Sequence, residues 1–545
     1  MRGGRKVGPA LALVPAAMNS VPRKTTRKRL VFGALGLVVL ISLSVVWLAT
    51  RGYRPGPLKG KIEALLSDEL ESEVTLGSLE GRVFPRISLT GGMLVVRHKG
   101  RTDIPPLLMV KHFEIHASLS GLMAKPRHVA EVRLQGLEVN IAPGRDDEDE
   151  TDQKSDTAPD GEDGKVDGFT EVIIDHFEAP DTVLTLIPKK PNKPPKVFTI
   201  HQLVMTSVGR GLKIPYIAVL TNPVPKGEIE TSGTFGPWNV PHPASTPVAG
   251  KYTFAKADLN TIDGLSGILS SEGTFDGPLK KIHVQGTTDT PKFQVDAGGQ
   301  AVPLTTKFTA TVDGSDGDTI LDQVDAKFLS TELTAKGAVI GLEGVHGRQV
   351  DLDVVVTNGR VEDLLKLAVD SDKPILKGNV QFKAKIGVPP RKAKVLDKLT
   401  LRGTFGLTQA KFTDSSVQTK ITGLSKHGQG MANEESLPDV MSNLRGTFII
   451  ENATAIFPSL RFGVPGAAVE LAGRYGMRTQ NIDFHGHLVM DATISQAAGG
   501  GIKSFFLKAV DPFFKKDGKG TVLPIKITGN RKDPKFGLEL FGKKK

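Results

Sequence analysis

Asp483, His485 and His487 form the one grouping in this chain whose residue types and spacing suit chemistry. Imidazole and carboxylate are ordinary zinc ligands, and a period of two would put all three on one strand face, opposite Ile482, Phe484 and Leu488. The same pattern describes the polar outer face of a sheet, and that is the expectation. His112 and His116 have helical i, i+4 spacing, but Phe113, Ile115 and Ala117 alternate with them, which makes a solvent-facing strand. Asp313–Asp318 (DGSDGD) suggests a calcium loop, yet it lacks the glycine at position six and the glutamate at position twelve, so a hairpin turn is expected. Asn452-Ala453-Thr454 fits a glycosylation sequon, relevant only in a eukaryotic secretory host. The phosphate-cradling Gly-x-x-x-x-Gly-Lys-[Ser/Thr] loop, the Gly-x-Ser-x-Gly elbow and the His-Glu-x-x-His helix are all missing. No enzymatic activity, cofactor or metal is expected.

The elements around these residues are mostly strands. Sixty glycines, thirty-five prolines and only 6% aromatics fit many short strands joined by tight turns. Cysteine is absent, so neither disulfides nor thiolate chemistry are available. The formal charge of +11 invites a nucleic-acid reading. Much of the excess, however, lies in the N-terminal arm and in Lys543-Lys544-Lys545, with no basic–aromatic interleaving between them. Attraction to anionic lipid accounts for the same charge, and no nucleic-acid partner is expected.

Leu30 to Ala49 is apolar, uncharged and about 30 Å long as a helix, enough to cross a bilayer. Leu30, Val31, Phe32, Leu40, Trp47 and Leu48 are its anchor residues. The Lys/Arg residues before it outweigh Arg51, Arg54, Lys59 and Lys61 after it, so residues 1–29 stay in the cytoplasm and the bulk is exported. A cleaved signal peptide is the competing reading. It would need a small residue where Trp47 stands, so an uncleaved anchor is expected.

Lys59–Glu71 reads as a short amphipathic helix with Ile62, Leu65 and Leu66 on one face. From Val74 onward the period becomes two. Val132 and Leu134 point one way, and after Gly136 the phase resumes at Leu137, Val139 and Ile141, as at a β-bulge or sheet bend. Residues 145–167 hold an acidic Ser/Thr/Pro/Gly mixture with too little apolar content to order, hence a solvated loop rather than a calcium site. Strand-like runs then recur from Val172 to Ile527, and Gly-Thr-Phe appears at Gly233, Gly273, Gly403 and Gly446, a degraded repeat at best. Arg360–Val369 and Gly501–Phe514 are the remaining helical candidates, the second suited to capping, to membrane contact or to plain packing.

These elements specify a mainly β fold: one long, curved antiparallel sheet of roughly 25–35 strands, with few short helices. At about 4.8 Å per strand it would run on the order of 120–170 Å and must curl. Its apolar concave face is a groove, and Val132, Leu134, Val139, Val354 and Ile386 are the expected lining.

Taken in order along the chain, several stretches resemble the AsmA-like family of Gram-negative envelope proteins, remote relatives of chorein-type lipid-transfer bridges. Val74–Leu79 and Val83–Leu89 are similar to the family's opening, so residues 51–144 form its N-terminal part. Gly273–Gly337 resembles its middle section. Leu401–Gly430, Val464–Ala467 and Pro524–Gly529 resemble its C-terminal region, which closes a body over 168–545. The acidic loop is not a family signature. The resemblance implies a single-pass inner-membrane anchor, a periplasmic β-groove and a role in outer-membrane biogenesis, with no catalytic residues to carry over. The leading expectation is shielding or conduction of lipid acyl chains, glycerophospholipid above all, toward the outer membrane. The rival is a scaffold that influences protein targeting to the outer membrane and partners its assembly proteins, using sheet edges.

Overall fold

The structure is a computed structural model. It describes residues 58–539 apart from 70–71, 83–85, 99–104, 142–171, 188–194, 210, 240–242, 297–298, 315–316, 343–344, 346, 370–372, 392, 432–439, 493–520 and 532. The expected anchor (Leu30, Val31, Phe32, Leu40, Trp47, Leu48), the acidic loop and the Gly501–Phe514 segment lie outside the described residues. Among the described residues, no helix is long and apolar enough to cross a membrane.

Period-two alternation produces, among the described residues, a single sheet of 26 strands in which chain neighbours pair almost throughout. Nearly every contact is antiparallel. The long antiparallel sheet is as expected, with one local exception: Arg127–Ile141 runs parallel to both Val172–Glu178 and Thr182–Leu186. Those two short strands are the halves of one interrupted strand, since both pair antiparallel with Lys196–Gly209. A parallel pair cannot be closed by a hairpin. Val172 lies beside Arg127, whereas the preceding strand ends at Ile141, so residues 142–171 must join opposite ends of a strand about 45 Å long.

The phase change at Gly136 is a bend, not a bulge. Val110 faces Leu137 and His112 faces Gln135 with no register offset, and Gly136 takes φ +61°. Both strands therefore switch the side they present together.

The helix Leu58–Glu69 lies against the first strands, with Ile62 and Leu66 buried. With Phe113, Ile115, Val132, Leu134, Val139, Ile174 and Phe177 they make a closed core. Two smaller clusters flank later helices. Val361–Ala368 sends Leu364 and Leu365 against Val356, Val380 and Leu407. Ser415–Gly428 brings Leu424 to Ala467, Leu488 and Leu523.

Candidate functional site

Residues that stand opposite each other in a sheet point to the same side, so cross-strand register can be followed from strand to strand. One such line runs Tyr216, Gly233, Gly250, Phe275, Val284, Ala310. It continues Leu321, Gly337, Leu352, Ile386, Leu401, Ile450, and ends Ala455, Tyr475, Ile482, Gly529. None carries a charge over some sixteen strands, or about 70 Å. The adjacent outward line reads Lys336, Asp353, Lys385, Arg402, with Lys385 Nζ 2.8 Å from Asp353.

Glycine marks this apolar face as the crowded one. A Cβ at Gly273 would lie 2.2 Å from Gln285 O, at Gly337 2.0 Å from Asp351 O, at Gly403 2.1 Å from Lys383 O and at Gly486 1.9 Å from Glu470 O. Neighbouring backbones crowd together on this side, and only a residue without a side chain fits. Aromatic rings occupy the bared spots. Tyr252 lies over Gly273 and Gly286, Phe275 over Gly250 and Phe484 over Gly473. The rings lie against these glycines, and Ala310, Val354, Ala384 and Phe448 on the same face are buried. This explains the Gly-Thr-Phe recurrence: glycine and phenylalanine face in, threonine out, as at Gly403-Thr404-Phe405 and Gly446-Thr447-Phe448. Phe448 stacks on Phe382 at 5.5 Å between centroids and tilts against Phe405 at 6.1 Å.

Several hydroxyls on this face bond to one another. Tyr252 Oη meets Ser271 Oγ at 3.1 Å, and Thr288 meets Thr306 at 2.7 Å. Burial pushes the phenols of Tyr216 and Tyr252 up from their usual value, outweighing the hydrogen bonds from Thr231 and Ser271 that lower it. Both rings stay neutral.

The expected lining residues divide. Val354, between Ala335 and Ala384, and Ile386, between Leu352 and Leu401, stand on this apolar face; Val354 is 8% exposed and buried, and Ile386 is half-buried. Val132, Leu134 and Val139 face the same way but are 1%, 3% and 6% exposed inside the N-terminal core, so they line no open space. The helix Leu58–Glu69 covers that stretch of face. A concavity of about 900 Å³ also touches Ser271, Thr288 and Thr306 of the apolar face. Two outward lines, Thr253–Glu272–Thr287–Lys307–Asp325 and Ser270–Asp289–Thr305–Lys327–Glu332, form its walls, and none of the inward Tyr252, Phe308 and Val324 touches it.

Asp483, His485 and His487 share an outward face, as alternation requires. His485 bridges two carboxylates, with Nε2 3.1 Å from Asp483 and Nδ1 2.9 Å from Glu539. The Asp483 bond first, then that to Glu539, raises its pKa. Among the described residues, no group of three or more His, Asp or Glu side chains could hold a metal ion. His112 and His116 flank Glu114 on a strand. Asp313 and Asp318 close a turn through the Asp313 N–H and Asp318 carbonyl at 2.8 Å, and Asn452-Ala453 form a hairpin tip with φ +49° and +54°.

Sequence reasoning missed the helix Ser415–Gly428, whose Thr, Ser and Gly content is poor in helix formers. The available signal was Asp414, which accepts from Ser416 N at 2.9 Å and Val417 N at 3.0 Å. Compared with protein-family models, curated proteins and solved structures, the chain matches none.

Proposed function

We propose that the concave face shelters acyl chains of membrane lipids, and that the protein is a membrane-anchored envelope component that passes or shields lipid between the inner and outer membranes, as the AsmA-like resemblance implies. The observation that supports this most is the uncharged line from Tyr216 to Gly529, floored by glycines and flat aromatic rings. Each methylene moved from water onto such a floor gains roughly 0.8 kcal/mol, so loading needs no chemical step. The scaffold reading calls for a long open sheet edge to template a partner strand. The C-terminal edge strand Asp533–Leu538 is short, and the opposite edge is split into Ser72–Thr75 and Ser78–Arg82.

The test is photocrosslinking of a diacyl lipid to the full chain. Val354→Asp and Ile386→Asp should reduce crosslinking severalfold, and Asp353→Lys, one residue away on the outward face, should leave it unchanged. A buried unpaired carboxylate costs several kcal/mol, so circular dichroism and melting must first show that each variant folds. Equal crosslinking in all three variants would overturn the conduit and favour the scaffold.

A further inference from the structure

The trough has two rims, made by alternate ends of its strands. Along one, successive turns are hydrogen-bonded into a ledge: Lys280 N donates to Ala244 O, Gly314 N to Leu279 O, Ala453 N to Leu396 O, Met477 N to Ala453 O and Arg531 N to Gln480 O. Its turns hold Lys280 and Lys281, then Arg391, Lys394 and Lys398, then Arg478 and Arg531. The carboxylates among its described residues are Asp313, Asp318 and Asp397, of which Asp318 bonds Arg348 at 3.0 Å and Asp397 pairs with Arg478.

The opposite rim has the reverse balance. Asp263, Asp296, Glu362, Asp363, Asp414 and Asp491 stand in its turns and helices, against Lys366, Lys373, Lys420 and Lys426. This is also the rim where Val361–Ala368 and Ser415–Gly428 lean over the floor. Among the described residues, one side of the trough is therefore cationic and carries only the short α-helix Val395–Lys398, against which the Gly264 turn of the other rim packs; that other side is acidic and partly roofed.

We propose that the cationic ledge is the headgroup side of the trough and that its occupant is a phosphate-bearing glycerolipid. This rests on the acyl-chain reading above and adds an orientation to it. Acyl chains lie on the uncharged floor and point toward the helix-covered rim, while the phosphate sits at the Lys280–Arg531 ledge. A lipid turned the other way would bring its phosphate beside Glu362 and Asp414. From the turn at Lys280 to that at Arg531 the ledge crosses twelve strands, or about 60 Å, and is met on the way by the Gly264 turn at Val395. Ammonium groups near an anionic lipid surface each contribute enough to change partition about fivefold, an effect that salt screens.

The experiment uses the detergent-solubilised full chain and two photoactivatable lipids with identical acyl chains, phosphatidylglycerol and diacylglycerol. Lys280→Gln with Lys281→Gln and Arg391→Gln should lower phosphatidylglycerol crosslinking about tenfold or more and leave diacylglycerol unchanged. Lys366→Gln with Lys420→Gln, on the acidic rim, should change neither. The wild-type preference for phosphatidylglycerol should shrink as salt rises from about 0.05 to 0.5 M. Retained diacylglycerol crosslinking with no phosphate preference, or equal loss from variants of either rim, would overturn the headgroup ledge alone. Failure of both lipids to crosslink to the wild-type chain would instead overturn the acyl-chain reading.

Discussion

The N-terminal part of the sheet and its long remainder present the same kind of face and treat it in opposite ways. Up to Ile214 most inward residues are buried in one core to which the helix Leu58–Glu69 contributes Ile62 and Leu66. Beyond it, Tyr252, Phe275, Val284, Leu321 and Leu352 keep the same alternation but are only half-buried. The difference lies in what stands opposite. In the first region branched and aromatic residues meet a helix and close a core. In the second, glycines draw the backbones together, rings lie flat, and only two rim helices lean in. Inward apolar character therefore does not separate a core from a groove; the covering element and the glycine pattern do.

The largest test of that comparison concerns the connection between the two regions. Deleting Asp146–Gly164 leaves residues 142–145 and 165–171, which reach about 40 Å at most, to join strand ends about 45 Å apart. The deletion should abolish the parallel pairing and lower the melting temperature sharply. A replacement of equal length without acidic residues should melt like the wild type. Equal behaviour of the two would mean that the crossover does not span the strand.

Truncating one phenylalanine in each region comes next. Phe113→Ala, at a position 2% exposed, should cost about 3–5 kcal/mol in denaturant unfolding. Phe275→Ala, half-exposed on the trough floor, should cost about 1–2 kcal/mol. Equal costs would mean that the floor is packed shut.

Glycine substitutions sharpen the picture of the floor. Gly486→Ala drives a Cβ to 1.9 Å from Glu470 O and should destabilise by about 1–3 kcal/mol. Gly406 has nothing within 4 Å of an added Cβ and faces outward beside Arg445, so Gly406→Ala should stay within about 0.5 kcal/mol. Chemical denaturation of both variants decides whether crowding is confined to the inward side.

The smallest effect is expected at the far edge, where His485 ties Asp483 to Glu539. A histidine whose folded pKa is raised stabilises most below its unfolded value near 6.5, and that contribution is lost as pH rises through the raised value. Because His485 is exposed, the slope should be slight. Thermal melts across pH 5.5–8.5 should show it in the wild type and not in His485→Gln; identical slopes would remove the linkage.

Much of this was legible in the residues themselves. Alternation of Phe113, Ile115 and Ala117 with histidines decides a strand without any tertiary information, because side-chain direction reverses at every residue. The same rule placed Asp483, His485 and His487 outward, and Ile62 with Leu66 was enough to indicate a buried helix face. Other features depended on distant partners. Alternation cannot distinguish an antiparallel from a parallel neighbour, so the crossover before Val172 could not be read from it. Nor does it say whether a helix covers a face: Val132 and Ile386 look alike in sequence, yet one is sealed in a core and the other is only half-buried. The Gly-Thr-Phe tripeptides looked like a worn repeat because their meaning is held by the adjacent strand, whose backbone occupies the space a side chain would fill. Local pattern determined strand, turn and the facing of each side chain. Pairing, cover and curvature came from contacts between residues far apart in the chain, and only the tertiary structure decides those.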